Sequence, residues 1–140
     1  MTDSHPYSHR VVARFADTDA EEHVYSGSYF VYCDEALMGL IAAAGYGWDL
    51  LALESKAFYY VESGCRYLKP VRFSESMRVG TRLTKLGKSS LRAEMDIERE
   101  SDGEQVATGF LVAVLVDKRT ATSIPIPTGM REALQRFRRA

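Results

Sequence analysis

The chain is 140 residues long, 46% hydrophobic and 26% charged, with 18 basic against 19 acidic side chains and a formal net charge of −1. That length suits one domain, at roughly 100–200 residues each, and supports a core without disulfide or metal staples. The charge balance excludes a strongly basic nucleic-acid binder and a broad footprint on anionic membranes, and the composition excludes disorder over most of the length.

Residues 1–8 are polar, contain Pro6 and read as a frayed tail with no apolar leader segment. Val11 to Phe15 predicts a first strand. Ala16 to Ser28, rich in Asp, Glu, Ser and Gly, predicts a loop, with Ser26 or Ser28 placed to cap the next helix. From Tyr29 to Ala44 the chain is apolar on nearly every helical face, which predicts a core helix buried on most sides. At 16 residues, with Asp34 and Glu35 inside it, this segment falls short of the ~20 apolar residues of a membrane span. Gly39 costs ~1 kcal/mol relative to Ala in a helix and marks a close contact. Gly45 is placed to end the helix, and Tyr46 to Leu53 reads as a short second helix or an ordered loop.

The remainder reads as strands. Ala57 to Leu68 is aromatic and β-branched. Ser76 to Leu86 places Met77, Val79, Thr81 and Leu83 on one side, and Leu91, Ala93, Met95 and Ile97 alternate with charged residues. Asp102-Gly103 is a hairpin signal. The nearly continuous apolar run Val106 to Val116 predicts burial on both faces, inside the sheet or at a subunit contact, and so a homo-oligomer. Pro125 and Pro127 precede a short C-terminal helix from Thr128 with Met130, Leu134 and Phe137 on one side. The pattern is α+β: a central helix with a curved antiparallel sheet around it. Cys33 and Cys65 cannot make a disulfide framework and read as buried free thiols in a reducing compartment, with the cytoplasm as the expected location.

One segment is chemically dense. Asp17 to Tyr29 carries Asp17, Asp19, Glu21, Glu22 and His23 in a loop that runs into a helix N-terminus. Free N–H groups at such a terminus are suited to an oxyanion beside a carboxylate; the plainer alternative is an acidic loop whose charges favour the helix start. His5 and His9 lie four apart without a third metal ligand, so no metal site is expected.

Arg14-Phe15-Ala16-Asp17-Thr18-Asp19 followed by Val24-Tyr25-Ser26-Gly27-Ser28-Tyr29 resembles the opening motif of the hotdog-fold acyl-CoA thioesterases of the 4-hydroxybenzoyl-CoA thioesterase type. The resemblance continues through Tyr67-Leu68-Lys69-Pro70-Val71-Arg72-Phe73, Gly87-Lys88-Ser89-Ser90, Val116-Asp117 and Ile124-Pro125. It implies a hotdog fold over residues 1–140 and a homodimer or dimer of dimers with sites at the subunit interface. It also implies hydrolysis of an acyl-CoA thioester to a carboxylic acid and free coenzyme A. Asp19 maps to the catalytic carboxylate, as nucleophile or general base. Backbone N–H groups near Tyr25 and Ser26 polarise the carbonyl, with Tyr29 and His23 at the substrate. Lys69, Arg72, Lys88 and Ser89 are the expected coenzyme A contacts, with Arg82 a further strand-end cation. No cofactor is implied beyond the coenzyme A of the substrate.

The chain departs from the family pattern at Glu22, where Gly is frequent, at His23, where an apolar residue is frequent, and at Ser26 and Ser28, where His or Asn and Asn are frequent. These departures motivate a second expectation, a non-catalytic acyl-CoA-binding protein. Further rivals are a thioesterase acting on acyl-carrier-protein substrates and a dehydratase using His23. Phe58, Tyr59 and Tyr60 are assigned to core or sheet-interface packing ahead of an acyl pocket, and Arg136, Arg138 and Arg139 to the C-terminal helix dipole.

Overall fold

The computed structural model describes residues 4–140. In chain order the elements are β1 (Tyr7–Val12), a 3-10 turn (Phe15–Asp17), α1 (Ser28–Ala43), α2 (Trp48–Leu53), β2 (Lys56–Tyr67), β3 (Ser76–Leu86), β4 (Ser90–Arg99), β5 (Gln105–Asp117), the two-residue β6 (Thr122–Ser123) and α3 (Thr128–Gln135). The strands form one antiparallel sheet in the order β1-β3-β4-β5-β2, with β6 on the end of β5. This is the curled sheet around a long helix expected of the α+β hotdog fold, with the short C-terminal helix in place.

Period-2 alternation builds the sheet. Met77, Val79, Thr81 and Leu83 of β3 and Leu91, Ala93, Met95 and Ile97 of β4 are all buried on the helix side. The Leu83/Lys85 and Tyr60/Glu62 bulges bend the ladder. Neighbours β4 and β2 occupy both backbone edges of β5, but its side chains alternate between buried (Leu111, Ala113, Leu115) and half-buried (Phe110, Val112, Val114), so the expected burial on both faces is not met within the single chain. The free edges belong to β1 and β2, and β2 has no fully buried residue. Phe58 packs on the core, while Tyr59 and Tyr60 are exposed on the β2 edge, where Tyr60 donates to Asp34 of α1.

Two further expectations are corrected. Residues 4–8 are not part of a frayed tail. β1 begins at Tyr7, Pro6 is buried, and His5 Nε2 lies 2.7 Å from Asp96 Oδ2; residues 1–3 lie outside the described residues. Nor is α1 buried on most sides. Its buried residues are Tyr29, Tyr32, Cys33, Ala36, Leu37, Leu40 and Ile41, the i, i+3, i+4 stripe of an amphipathic helix. Val31 and Ala42 on the opposite face are exposed, because the sheet covers only one side.

Gly45 ends α1 with φ +98°, a left-handed conformation that glycine adopts without strain. Cys33 is buried and Cys65 only partly so. Both sulfurs press on Gly109, where an added Cβ would lie 2.8 Å from Cys33 Sγ. The neighbouring Cys65 and burial push the Cys33 thiol up, which keeps it protonated and inert. Gly39 is filled by Tyr7, whose ring carbon Cζ lies 2.9 Å from where a Cβ would sit. Gly39→Ala therefore loses about 1–3 kcal/mol to overpacking despite the higher helix propensity of Ala, and denaturant unfolding checks the sign.

Candidate active site

The loop between β1 and α1 is fastened from inside. Asp17 is 5% exposed. Its carboxylate accepts the Arg14 backbone N–H at 2.9 Å, Arg14 Nη2 at 2.9 Å and Nε at 3.3 Å, and the Tyr32 hydroxyl at 2.9 Å. Its carbonyl accepts the Tyr25 N–H at 2.8 Å and the Ser28 hydroxyl at 3.0 Å. Ser28 is thus tied to the loop and caps nothing. The helix N-cap is Gly27, which makes no side-chain cap bond.

Burial opposes ionisation of Asp17. The hydrogen bonds from Arg14 and Tyr32 and the Arg14 charge outweigh it, and the carboxyl sits below its ordinary range. Burial and Asp17 in turn push the Tyr32 phenol up.

Asp19, two residues on, is exposed. Its Oδ1 accepts the Glu21 N–H at 2.9 Å and the His23 N–H at 3.4 Å. Its own N–H donates to the His23 carbonyl at 2.9 Å, and its carbonyl accepts Glu22 N–H at 3.0 Å. This side-chain-to-backbone turn fixes one carboxylate oxygen. Oδ2 has no partner among the described residues. Glu22 stands at φ +66° in that turn, a left-handed position that costs a non-glycine residue roughly 1–2 kcal/mol. The frequent Gly of the resembled family has its physical reason here.

A cleft of about 460 Å³ brings together six sequence-predicted residues, Asp19, His23, Tyr25, Ser26, Tyr29 and Lys69; Val24, Tyr67, Leu68 and Pro70 complete its lining. The Tyr67 hydroxyl donates to the Ser26 carbonyl at 3.1 Å. Burial, with Tyr67 beside it, pushes the Tyr29 phenol up to about 12, so it remains a neutral group in the wall. The Tyr25 N–H is taken by Asp17. The Ser26 and Gly27 N–H groups meet no acceptor among the described residues. Gly27 has its own reason: a Cβ there would stand 2.5 Å from the Tyr25 ring.

A second cleft, of about 570 Å³, opens on the other side of Asp19, lined by Phe15, Thr18, Ala20, Glu22, Arg72 and Phe73. Phe15 and Phe73 meet edge to face with centroids 6.1 Å apart. Arg72 belongs here, while Lys69 lines the first cleft.

Lys88 and Ser89 do not join them. Their turn follows β3, and the Ser89 carbonyl accepts Leu115 N–H at 2.9 Å near the far end of β5. The ten residues of β4 separate that turn from the Asp19 end, about 30 Å at ~3.3 Å per residue. Arg82 is central in β3 and paired with Glu94 and Asp96. His5 and His9 turn to different carboxylates, Asp96 and Glu35, and no cluster of three or more metal-ligating side chains occurs among the described residues.

Sequence reasoning missed the role of Asp17, though its i, i+3 spacing from Arg14 was a usable signal. It also missed the phenylalanine-lined cleft, whose parts lie far apart in sequence.

The curled sheet around α1 is of hotdog type, and the family and relative that the chain matches make it a thioester hydrolase. The chain matches the Thioesterase-like superfamily over residues 13–134 and belongs to it. It is similar to the long-chain acyl-CoA thioesterase FadM of Escherichia coli (strain K12), 26% identical over 121 residues, covering 85% of this chain and 89% of that protein. Among solved structures it is similar to the hypothetical protein TT1821 from Thermus thermophilus, with a TM-score of 0.87 and 28% identity over 94% of this chain and 98% of that one. The BH1999 gentisyl-coenzyme A thioesterase shares the fold, with a TM-score of 0.82 and 24% identity over 91% of this chain and 98% of that one. No helix among the described residues is long and apolar enough to cross a membrane.

The depressed value of Asp17 sets a pH dependence. Its stabilisation is fully present above the unfolded carboxylate value of ~3.9 and is lost as pH falls through the lower folded value. Urea midpoints measured between about pH 2 and 5 therefore rise with pH, and Asp17→Asn flattens that slope.

Proposed function

We propose that the protein hydrolyses acyl-CoA thioesters at Asp19. The observation that carries this reading is one cleft holding a carboxylate with a free oxygen and, at the start of α1, an N–H without an acceptor. The long-chain acyl-CoA activity named for the FadM relative supports the substrate class. Ser26 N–H is the oxyanion donor, in preference to Tyr25, whose N–H is already used. Asp19 Oδ2 attacks the thioester carbonyl carbon and expels coenzyme A as the thiolate, leaving a mixed anhydride that water hydrolyses. In the alternative it takes a proton from the attacking water. Both routes end in a carboxylic acid and a thiol. A thiolate leaves readily, so neither route calls for a metal or redox cofactor. Free Cys33 and Cys65 suit a reducing cytoplasm.

The working unit on this reading is a dimer. β2 is a twelve-residue edge that exposes Tyr59, Tyr60, Val61 and Tyr67, and such an edge is stable in solution when covered. A two-fold axis pairs β2 antiparallel with its copy. The Tyr67 end of one chain then meets the Lys56 end of the other. The turn bearing Lys88 and Ser89 lies toward that Lys56 end, through Leu115 and its partner Phe58. Pairing brings Lys88 and Ser89 of the partner subunit toward the Asp19 cleft, where they meet the coenzyme A phosphates alongside Lys69 and Arg72.

Thiol release from a panel of acyl-CoAs tests this. Asp19→Asn lowers turnover by roughly 10²–10⁴-fold in a folded dimer, and undiminished turnover removes Asp19 from the chemistry. Lys88→Ala raises KM about 10-fold for acyl-CoA, in line with loss of one charge-assisted phosphate contact. It leaves KM for an acyl-pantetheine without the nucleotide unchanged. An equal effect on both substrates would remove Lys88 from phosphate binding.

A further inference from the structure

We infer that Asp17 is a positioning residue for this hydrolysis, setting Asp19 against the Ser26 N–H through its contacts with Tyr32 and Arg14. The inference rests on the thioesterase reading above and adds a residue to it. Three parts of the chain converge on Asp17. Arg14, just after β1, supplies three donors to its carboxylate, and Tyr32, one turn into α1, supplies the fourth. Its carbonyl binds the Tyr25 N–H and the Ser28 hydroxyl. Those two donors flank Ser26 and Gly27, the residues whose N–H groups remain open. Asp19 follows two residues later on the same short segment. The carboxylate side of Asp17 is thus anchored in the helix core, and its backbone side holds the start of that helix.

Stability alone is a poor reason for the arrangement. Burying a carboxylate costs several kcal/mol before its partners offset it, and well-packed apolar side chains often replace a buried ion pair without loss. What apolar packing lacks is direction. Four hydrogen bonds from two elements leave Asp17 one orientation, and a misplacement of about 1 Å in a reacting group costs on the order of 10²-fold in rate. Asp17 touches no substrate in this scheme. It is buried behind the loop, and it lines neither cleft beside Asp19.

The test compares wild type, Asp17→Asn, Tyr32→Phe and the double variant, each with a dodecanoyl-CoA thiol-release assay and amide hydrogen exchange. Asp17→Asn is expected to lower kcat by about 10–100-fold with KM within about threefold. Tyr32→Phe should lower kcat severalfold. The double variant should lose less than the product of the two, since both changes break one network. Exchange at Tyr25 and Ser28, whose N–H groups are bonded at 2.8 and 2.9 Å, should accelerate, while the β3–β4 core stays protected.

A rise in KM with kcat retained, a kcat loss equal to the loss of folded protein, fully multiplicative effects, or unchanged exchange at Tyr25 and Ser28 would each overturn the inference. Should Asp17→Asn not fold, Tyr32→Phe decides alone, because it leaves the Arg14 bonds in place. A folded Tyr32→Phe protein with wild-type kcat and exchange overturns the inference, and a lowered kcat at unchanged KM supports it. Failure of the thioesterase reading itself looks different: no thiol release from wild type, or full release from Asp19→Asn. The exchange readout at Tyr25 and Ser28 still judges Asp17 in that case.

Discussion

The stripe from Tyr29 to Ile41 on α1 packs against the concave side of the sheet, and each large apolar side chain buried there contributes about 1.5–3 kcal/mol relative to exposure. Because only one face of α1 is apolar and enclosed, the helix has one rotation about its axis. That rotation points Tyr32 at Asp17 and carries the start of the helix out over the end of β2, where Tyr67 reaches the Ser26 carbonyl. The polar site is therefore located by an apolar contact. A helix turned by half, at about 100° per residue, would bury Val31 and Glu35 and withdraw the Ser26 and Gly27 N–H groups from the cleft.

Asp17 and Asp19 show how two like residues, separated by Thr18, take opposite roles from their surroundings. Asp17 is enclosed and bound through both oxygens, so its charge is fixed in place and its geometry is stiff. Asp19 is exposed and bound through one oxygen, so it keeps a free oxygen without losing its position. On the proposed reading both properties serve the chemistry at the carbonyl, and no single carboxylate supplies them. The left-handed Glu22 belongs to the same turn. Its strain is local, and it adds a second carboxylate to the phenylalanine-lined cleft on the far side of Asp19.

Strand identities, the existence of α1 and the crowded Gly39 were legible in the sequence because each rests on a short-range pattern or a single residue's geometry. The loop from Asp17 to Tyr29 stood out as a candidate site through its family resemblance, since clustered carboxylates before a helix start also have the plain use of favouring that start. Three things were not legible. Full burial of α1 was overread, since an apolar residue such as Val31 or Ala42 does not reveal whether a second layer covers it. The tail at residues 4–8 was underread, since His5 finds Asp96 across the sheet, a contact with no local signature. The choice between Tyr25 and Ser26 as donor turns on which N–H the Asp17 carbonyl has already taken, and that depends on the fold of the whole loop.

The separation of Lys88 and Ser89 from Asp19 bears on why this fold leaves an edge open. A curled sheet of five long strands puts its turns at two opposite ends, about 30 Å apart at ~3.3 Å per residue along the ten residues of β4. A substrate with a compact reacting group and a long phosphorylated arm needs chemistry at one place and cations some distance away. A single chain offers the first at the Asp19 end, while the turn bearing Lys88 sits at the other. Antiparallel pairing of two β2 edges reverses one copy and sets unlike ends side by side. The exposed tyrosines of β2 lose their contact with water in the same step. On the proposed reading, the feature that would make the isolated chain prone to association is also the one that completes its site.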